Sequence, residues 1–287
     1  MFGVVTREAA EVDWSAFDRA FYEVKDPSGR AAEPVADAVN TVSCFADNAA
    51  AASDPGIVPV DDEGRPADRD RPYFDWSFVC PTHDDYRAGV LEIIEDCAEV
   101  APDVRLDDVG FPRDGYCRCD RCERRFAASD LDDRLAWRAD VVTDFVADAA
   151  RRVPGDCYLT VYPDPYPGHL YRRAGIDLDA VVDHVDELVV PLYDTAYGTT
   201  YWLETIAKGF RTALAGGDPD GDLRVPLAVE LYAVDIEVKD LTSAAEVVDA
   251  YADDVFFGYD ANTASAAIRR LRADRRDGVT HAPDGSE

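Results

Sequence analysis

Three cysteines fall within six residues in Cys117-Arg118-Cys119-Asp120-Arg121-Cys122. Thiolates at this spacing converge on one soft cation, because the turn between them is too tight for them to point apart. Tetrahedral zinc takes four such ligands. The fourth has to come from elsewhere in the chain. Cys80, in Phe78-Val79-Cys80-Pro81, sits just past the end of an apolar run, as the triplet does, and is the candidate. Cys80, Cys117, Cys119 and Cys122 together would close the coordination sphere, so the zinc would be structural and not a Lewis acid for substrate. Reduced, unligated thiols or a redox pair are the alternatives, and a cytosolic setting disfavours disulfides. Cys44, Cys97 and Cys157 stand in apolar surroundings and read as ordinary buried thiols.

Just ahead of the triplet, the short apolar run Val104-Arg105-Leu106 ends in two adjacent carboxylates, Asp107 and Asp108. Such a pair can form an Asx-turn or cap a helix, or it can do chemistry. Carboxylates and tyrosines recur at the ends of other apolar runs: Tyr162 and Asp164, then Tyr193, Asp194 and Tyr197, then Glu230 and Tyr232, then Tyr259 and Asp260. No Ser-His-Asp set is evident, and the chain has only four histidines. Two carboxylates between aromatic walls are what glycosidic cleavage requires. One protonates the leaving oxygen, and the other attacks the anomeric carbon or activates water. Asp107, Asp108 and Glu230 are therefore the catalytic candidates. Tyr162, Tyr193, Asp194, Tyr197, Trp202, Tyr232 and Tyr259 are the candidate substrate-binding residues. Glu230 could equally be a buried ion-pair partner of Arg105 or Arg224, and the tyrosines could be rim packing.

The elements that would position these residues alternate in character. Strand-like runs are expected at residues 2–5, 40–46, 74–79, 104–106, 158–162, 188–193, 225–231 and 255–259. Helical spacing is expected at 14–24, after Thr82 or His83, over 126–153 with a break near Ser129-Asp130, and at 178–185, 202–214, 243–252 and 264–273. A long Pro- and Asp-rich loop spans 53–72, of the kind that is usually functional or mobile. Eight strands alternating with helices predict a single (β/α)8 TIM-type barrel over residues 1–273, followed by a flexible polar tail, 274–287. A doubly wound open sheet is the competing layout, and no G-x-G-x-x-G fingerprint or phosphate loop supports it. In a (β/α)8 barrel the active site gathers at the C-terminal ends of the strands, where the candidate residues fall.

The segment from Leu106 to Phe126 resembles the strand-4 region of family 42 glycoside hydrolases, the β-galactosidases of a large retaining barrel clan. There strand 4 ends in Asn-Glu-Tyr-Gly, with the Glu as acid/base, and a Cys-Tyr-Cys-x-x-Cys element follows. Asp107-Asp108-Val109-Gly110 falls where that motif would be, with the cysteine triplet at a similar distance. The resemblance implies a zinc held by the triplet and by Cys80 from the loop after strand 3. It implies that Asp108 is the general acid and that Glu230, at the end of strand 7, is the nucleophile or the base that activates water. Asp in place of Glu retracts the carboxyl by about one methylene, a change toward a wider gap and toward inversion. This chain is also much shorter than those enzymes. Two alternatives stand beside a glycosidase acting on a small saccharide. One is a tRNA-guanine transglycosylase-like zinc barrel, whose fourth ligand would be a histidine. The other is a non-catalytic saccharide-binding barrel.

Charge bounds the partners. Fifty-nine Asp and Glu face 29 Lys and Arg, for a net charge of -30, and the only lysines are Lys25, Lys208 and Lys239. This acidic, lysine-poor composition resembles that of proteins from salt-accumulating (halophilic) archaea. Such a surface repels nucleic acid and anionic membranes. No apolar run is long enough to cross a bilayer, and the N-terminus has no basic leader followed by an apolar segment. The cytoplasm is the expected location. The oligomeric state is not legible.

The same charge predicts salt-dependent folding. Carboxylates repel one another over ~10 Å at 0.1 M salt but only ~3 Å at 1 M. The melting temperature is therefore expected to rise between dilute buffer and molar KCl. Equal melting temperatures in the two would refute this.

Overall fold

The computed structural model describes residues 1–218 and 221–277. Its principal strands are β1 (Phe2–Thr6), β2 (Arg19–Asp26), β3 (Val39–Ser43), β4 (Val104–Asp107), β5 (Cys157–Thr160), β6 (Glu187–Leu192), β7 (Leu227–Tyr232) and β8 (Asp254–Gly258). They neighbour one another in chain order, and β8 and β2 both pair with β1, so the sheet closes. The fold is a closed parallel (β/α)8 barrel. A two-residue strand, Gly29–Arg30, adds an antiparallel hairpin to β2. The helices are α1 (Asn48–Ser53), α2 (Asp84–Val100), α3 (Asp120–Ala127), α4 (Arg134–Ala150), α5 (His169–Ala174), α6 (Leu178–Val181), α7 (Tyr201–Leu214), α8 (Val238–Asp249) and α9 (Ala261–Asp277).

The chain divides into two compact units, Met1–Tyr22 with the segment from Val189 onward, and Glu23–Leu188. In the first, β1 lies between β2 and β8, with Gly3 opposite both Arg19 and Phe256. A β-carbon on Gly3 would stand 2.6 Å from the Arg19 carbonyl oxygen and 2.9 Å from the Phe256 ring, so only glycine fits there. Glu230 of β7 pairs with Phe256 of β8. Val4, Val229, Val255 and Phe257 are fully buried around this sheet. In the second unit, Ser43 of β3 pairs with Asp107 of β4, and Leu106 of β4 with Leu159 of β5. Strands covered on both faces are near-continuous apolar runs, which is why these were legible.

Two expected elements differ. Residues 14–24 do not form a helix. A 3-10 turn (Ala9–Glu11) precedes β2, which begins at Arg19. Trp14, Phe17, Phe21 and Val24 have helical spacing, but Phe21, Tyr22, Glu23, Val24 and Lys25 are all buried, which a one-sided helix would not allow. Residues 74–79 do not form a strand either. Apart from one isolated bridge, Ala46 to Phe78, they belong to the long connection after β3. Their alternating aromatics pack on each other and on the cysteine loop, with ring centroids 5.3 Å apart for Phe74–Phe78 and 5.8 Å for Phe74–Tyr116. Residues 40–46 thus supply the third strand of the barrel and not the second, while 104–107 remains the fourth and 227–232 the seventh.

The break expected near Ser129-Asp130 lies between α3 and α4, and Asp133 caps α4 by accepting from the Leu135 amide at 2.9 Å. Of the expected tail, residues 274–277 continue α9, and 278–287 lie outside the described residues. Among the described residues, no helix is long and apolar enough to cross a membrane.

Candidate metal centre and candidate active-site residues

The long connection after β3 is folded on itself and tied to the cysteine loop by backbone hydrogen bonds. The Cys80 amide donates to the Ile57 carbonyl at 2.9 Å, and the Arg118 amide to the Val60 carbonyl at 2.7 Å. These straps bring the sulfurs of Cys80, Cys117, Cys119 and Cys122 within 4.8 Å of one another. In a tetrahedral site with metal–sulfur bonds of ~2.3 Å the sulfurs stand ~3.8 Å apart, so the cluster has the size of such a site. Cys80, Cys117 and Cys122 are fully buried, and the four thiols can hold a metal ion. Mutual hydrogen bonding, with Cys117 foremost, drives Cys119 below and Cys122 above the ordinary thiol value. The Thr82 hydroxyl lies 3.2 Å from the sulfurs of both Cys80 and Cys122, so it can hydrogen-bond to the ligand set. His83 caps α2, its Nδ1 accepting from the Tyr86 amide at 3.3 Å. Cys44, Cys97 and Cys157 are buried and apart from this cluster, and burial raises all three thiols.

The end of β4 turns sharply. Asp108 adopts a left-handed backbone, φ 50°, which an aspartate tolerates better than most residues. Its amide donates to Asp107 Oδ1 at 2.8 Å, and its carbonyl accepts from the Phe45 amide at 3.2 Å. Gly110, φ 118°, follows where a β-carbon would lie 2.6 Å from the Ala174 carbonyl oxygen. The Phe111 amide donates to that same carbonyl at 2.8 Å, docking the loop on the end of α5. The Arg138 guanidinium reinforces the contact, donating to the carbonyls of Arg172 at 2.6 Å, Arg173 at 2.8 Å and Arg113 at 3.0 Å.

Held this way, Asp108 Oδ2 accepts from the Ser43 hydroxyl at 2.6 Å. Asp108 as a residue keeps some contact with solvent, but its carboxyl lies among protein atoms. Removal from water and then the neighbouring Asp107 push it up to about 8, against the pull of Ser43 and Lys25. A carboxylic acid that keeps its proton near neutrality can donate it. Tyr162, beyond β5, stands in the field of Asp108 and Asp107 and is raised chiefly by burial. Arg173 lies 4.5 Å from its ring centroid.

The first unit carries Glu230, which is fully buried. The Tyr193 hydroxyl, from just beyond β6, donates to Glu230 Oε1 at 2.5 Å. Tyr193 is one of three rings packed together. Centroids are 5.5 Å apart for Tyr193–Tyr232, 6.1 Å for Tyr232–Tyr259 and 6.5 Å for Tyr193–Tyr259. Arg7, after β1, lies 5.0 Å from the Tyr259 ring. Tyr259 is left-handed, φ 73°, a conformation that a bulky residue adopts at a cost of order 1–3 kcal/mol and that clusters at functional positions. Gly258 makes room for the carboxylate, since a β-carbon there would lie 3.0 Å from Glu230 Oε1.

The other predicted residues are used differently. The Tyr197 hydroxyl donates to the Leu192 carbonyl at 2.9 Å and accepts from the Tyr232 amide at 2.6 Å, tying the end of β6 to the end of β7. Asp194 turns onto the Thr195 amide at 2.6 Å. Trp202 is half-buried in the first turn of α7. Asp164 pairs with His169 at 3.1 Å, and Asp260 caps the start of α9. Ser43, Lys25 and Arg7 were not legible as site residues. Serine and arginine are too common to signal anything, whereas Lys25 is one of only three lysines, and that rarity was a usable sign.

No protein-family profile matches this chain. No curated protein matches it either. Solved structures do. An α-L-fucosidase isoenzyme 2 from Paenibacillus thiaminolyticus superposes with a TM-score of 0.66 at 12% identity, over 97% of this chain and 50% of that one. A β-galactosidase from the psychrophilic Marinomonas ef1 gives 0.57 at 9% identity, over 97% and 60%. A β-galactosidase from Rahnella sp. R3 gives 0.50 at 14% identity, over 77% and 40%. The chain thus spans about half the length of these structures, and at such identities the likeness establishes the barrel fold alone.

The raised Asp108 fixes the sign of a pH effect. Folded Asp108 binds its proton more tightly than an unfolded aspartate, whose value is near 3.9. Its contribution to stability is therefore complete below about pH 4 and is lost as pH rises through about 8. Asp108→Asn removes the titration. Relative to wild type, the variant is expected to gain stability on going from pH 5 to pH 9, as read by urea unfolding at both values. A constant difference would contradict the buried, protonated carboxyl.

Proposed function

We propose that this barrel is a glycoside hydrolase-like enzyme that cleaves a glycosidic bond of a small saccharide with two carboxylates, and that the four-cysteine cluster holds a structural zinc. Asp108 is the general acid. Asp107 supplies the charge that helps to keep Asp108 protonated. Glu230 is the nucleophile or the base that activates water, with Tyr162, Tyr193, Tyr232 and Tyr259 as walls for the sugar.

The observation that carries this reading is the contrast between the two carboxyls. Asp108, at the end of β4, is pushed up to about 8 by burial and by Asp107, so it can hold a proton to give. Glu230, near the end of β7, instead accepts a phenol hydrogen bond from Tyr193 among three aromatic rings. Two carboxyls whose surroundings differ in this way divide the acid and base roles between them. Both stand toward the C-terminal ends of strands, where barrel enzymes keep their chemistry. The fold shared with a fucosidase and two β-galactosidases adds support for the reaction class, not for a particular sugar.

Zinc is the ion proposed because all four ligands are thiols, a set that suits it and leaves no open position for substrate. The transglycosylase alternative expects a histidine as fourth ligand, and Cys80 stands in that role here. A barrel that binds saccharide without cleaving it remains as an outcome of the test.

Turnover of a panel of aryl glycosides in molar salt is the deciding experiment. For a substrate that is turned over, Glu230→Gln is expected to lower kcat/KM by a factor of order 1,000, and Asp108→Asn by a smaller factor on good leaving groups. Wild-type turnover by Glu230→Gln would overturn the assignment. Saccharide binding without any hydrolysis would select the non-catalytic barrel.

The zinc is checked separately. Protein purified without added metal is expected to carry about one zinc per chain, and Cys80→Ser to lose it. Less than half an equivalent in wild type, or unchanged zinc in Cys80→Ser, would defeat the metal assignment.

A further inference from the structure

Asp108 has two oxygens, and a general acid works only if the proton sits on the one that reaches the substrate. The surroundings of the other oxygen are well defined. Oδ2 is met by the Ser43 hydroxyl at 2.6 Å. That hydroxyl carries a single proton, and its second acceptor, the Ala46 carbonyl oxygen, is farther away at 3.1 Å. The Ala46 carbonyl also accepts from Lys25 Nζ at 3.1 Å, and the same ammonium holds the Ser43 carbonyl at 2.8 Å. Lys25 thus fixes the backbone of Ser43 and occupies its competing acceptor. The shorter contact, to a carboxyl and not to an amide carbonyl already in use, takes the serine proton.

We infer that Ser43 is a positioning residue for Asp108, holding Oδ2 as a hydrogen-bond acceptor so that the acid proton resides on Oδ1. This rests on the reading of Asp108 as the acid. With Oδ2 engaged as an acceptor, protonating it would place two protons between Ser43 Oγ and Oδ2 and would force the serine to turn away. When Oδ1 gives its proton to a leaving oxygen, the carboxylate becomes anionic, and the Ser43 hydrogen bond becomes charge-assisted and roughly twice as strong. Ser43 therefore stabilises the ionised form more than the protonated one, as the sign of its influence on Asp108 requires.

The other charged and titratable groups around Asp108 are Asp107 on its own strand, Glu23 and Lys25 on β2, Cys44 after β3, Tyr86 on α2 and Tyr162 after β5. Ser43 is the group among these elements that donates a hydrogen bond to the Asp108 carboxyl.

The test is a titration of the Asp108 side-chain carboxyl by carbon NMR in full-length protein, assigned with Asp108→Asn, for wild type, Ser43→Ala and Ser43→Thr. Ser43→Ala is expected to move the Asp108 midpoint upward by about one pH unit, the size of one lost charge-assisted hydrogen bond. Ser43→Thr, which keeps the hydroxyl, is expected to restore it. If Ser43→Ala does not fold, Ser43→Cys, with a weak donor of similar shape, is expected to move the midpoint in the same direction by less. An unmoved midpoint in Ser43→Ala, or in Ser43→Cys where the alanine variant does not fold, would overturn the inference.

On a glycoside that is turned over, the alkaline limb of kcat/KM should follow the NMR midpoint. The titration needs no substrate, so the two readings fail separately. A shifted midpoint without hydrolysis of any glycoside removes the glycosidase and keeps the hold of Ser43 on Asp108. Hydrolysis with an unmoved midpoint does the reverse.

Discussion

A buried ammonium organises the second unit. Lys25 is 3% exposed and lies 3.2 Å from Asp47, while donating to the Ser43 and Ala46 carbonyls. At that separation the ion pair is worth about 5 kcal/mol of Coulomb attraction for an effective dielectric of about 20. Desolvating the two ions costs several kcal/mol each, so the pair adds little net stability. What it does contribute is geometry. Asp47 is held in turn by the Tyr86 hydroxyl at 3.0 Å and caps α1 through the Ala50 amide at 2.8 Å. One cation therefore sets the end of β3, the start of α1 and the place of Ser43. Ser43 in turn donates to the Asp108 carboxyl.

Charge acts at two scales in this protein. Over the surface, an excess of 30 negative charges works against compaction and is relieved by salt. Inside, buried cations such as Lys25 and Arg138 are met by backbone carbonyls. Arg138 is lowered to about 10 by burial, yet it donates to three backbone carbonyls and lies 4.7 Å from the Phe111 ring centroid. It holds the loop after β4 against α5. Arginine, whose planar fork serves several acceptors at once, suits that task better than lysine.

The four-cysteine cluster and the carboxylate at the end of β4 are linked through the chain. The loop that leaves Asp108 is pinned by Gly110 and Phe111 and then runs into Cys117, and the long connection after β3 supplies Cys80. A closed four-thiol site fixes the far end of both segments without offering an open position to substrate.

The sequence determined a good deal by itself. The cysteine spacing determined the thiol cluster, because three ligands within six residues have little freedom to point elsewhere, and the fourth stood out by its setting. Seven of the eight strands were legible because parallel strands buried on both faces are continuous apolar runs. The helix break near Ser129 and the strand-end positions of Asp108 and Glu230 followed from the same pattern.

Tertiary structure decided the rest. β2 was hidden because its buried Glu23 and Lys25 look like the polar face of a helix. Residues 74–79 imitated a strand because their aromatics alternate, with Phe74 packing on Phe78 and on Tyr116 of the cysteine loop, the latter a contact made across the chain and not along it. The sequence set Asp108 apart from Asp107 only through the motif resemblance, and the physical difference between them is tertiary. A left-handed turn at Asp108 sends its carboxyl to a serine 65 residues away, while Asp107 turns back onto the next amide. Local pattern reports which residues are apolar and how they repeat. It does not report which distant hydroxyl will stand beside a carboxyl, and that is what separates a buried carboxyl from a surface charge.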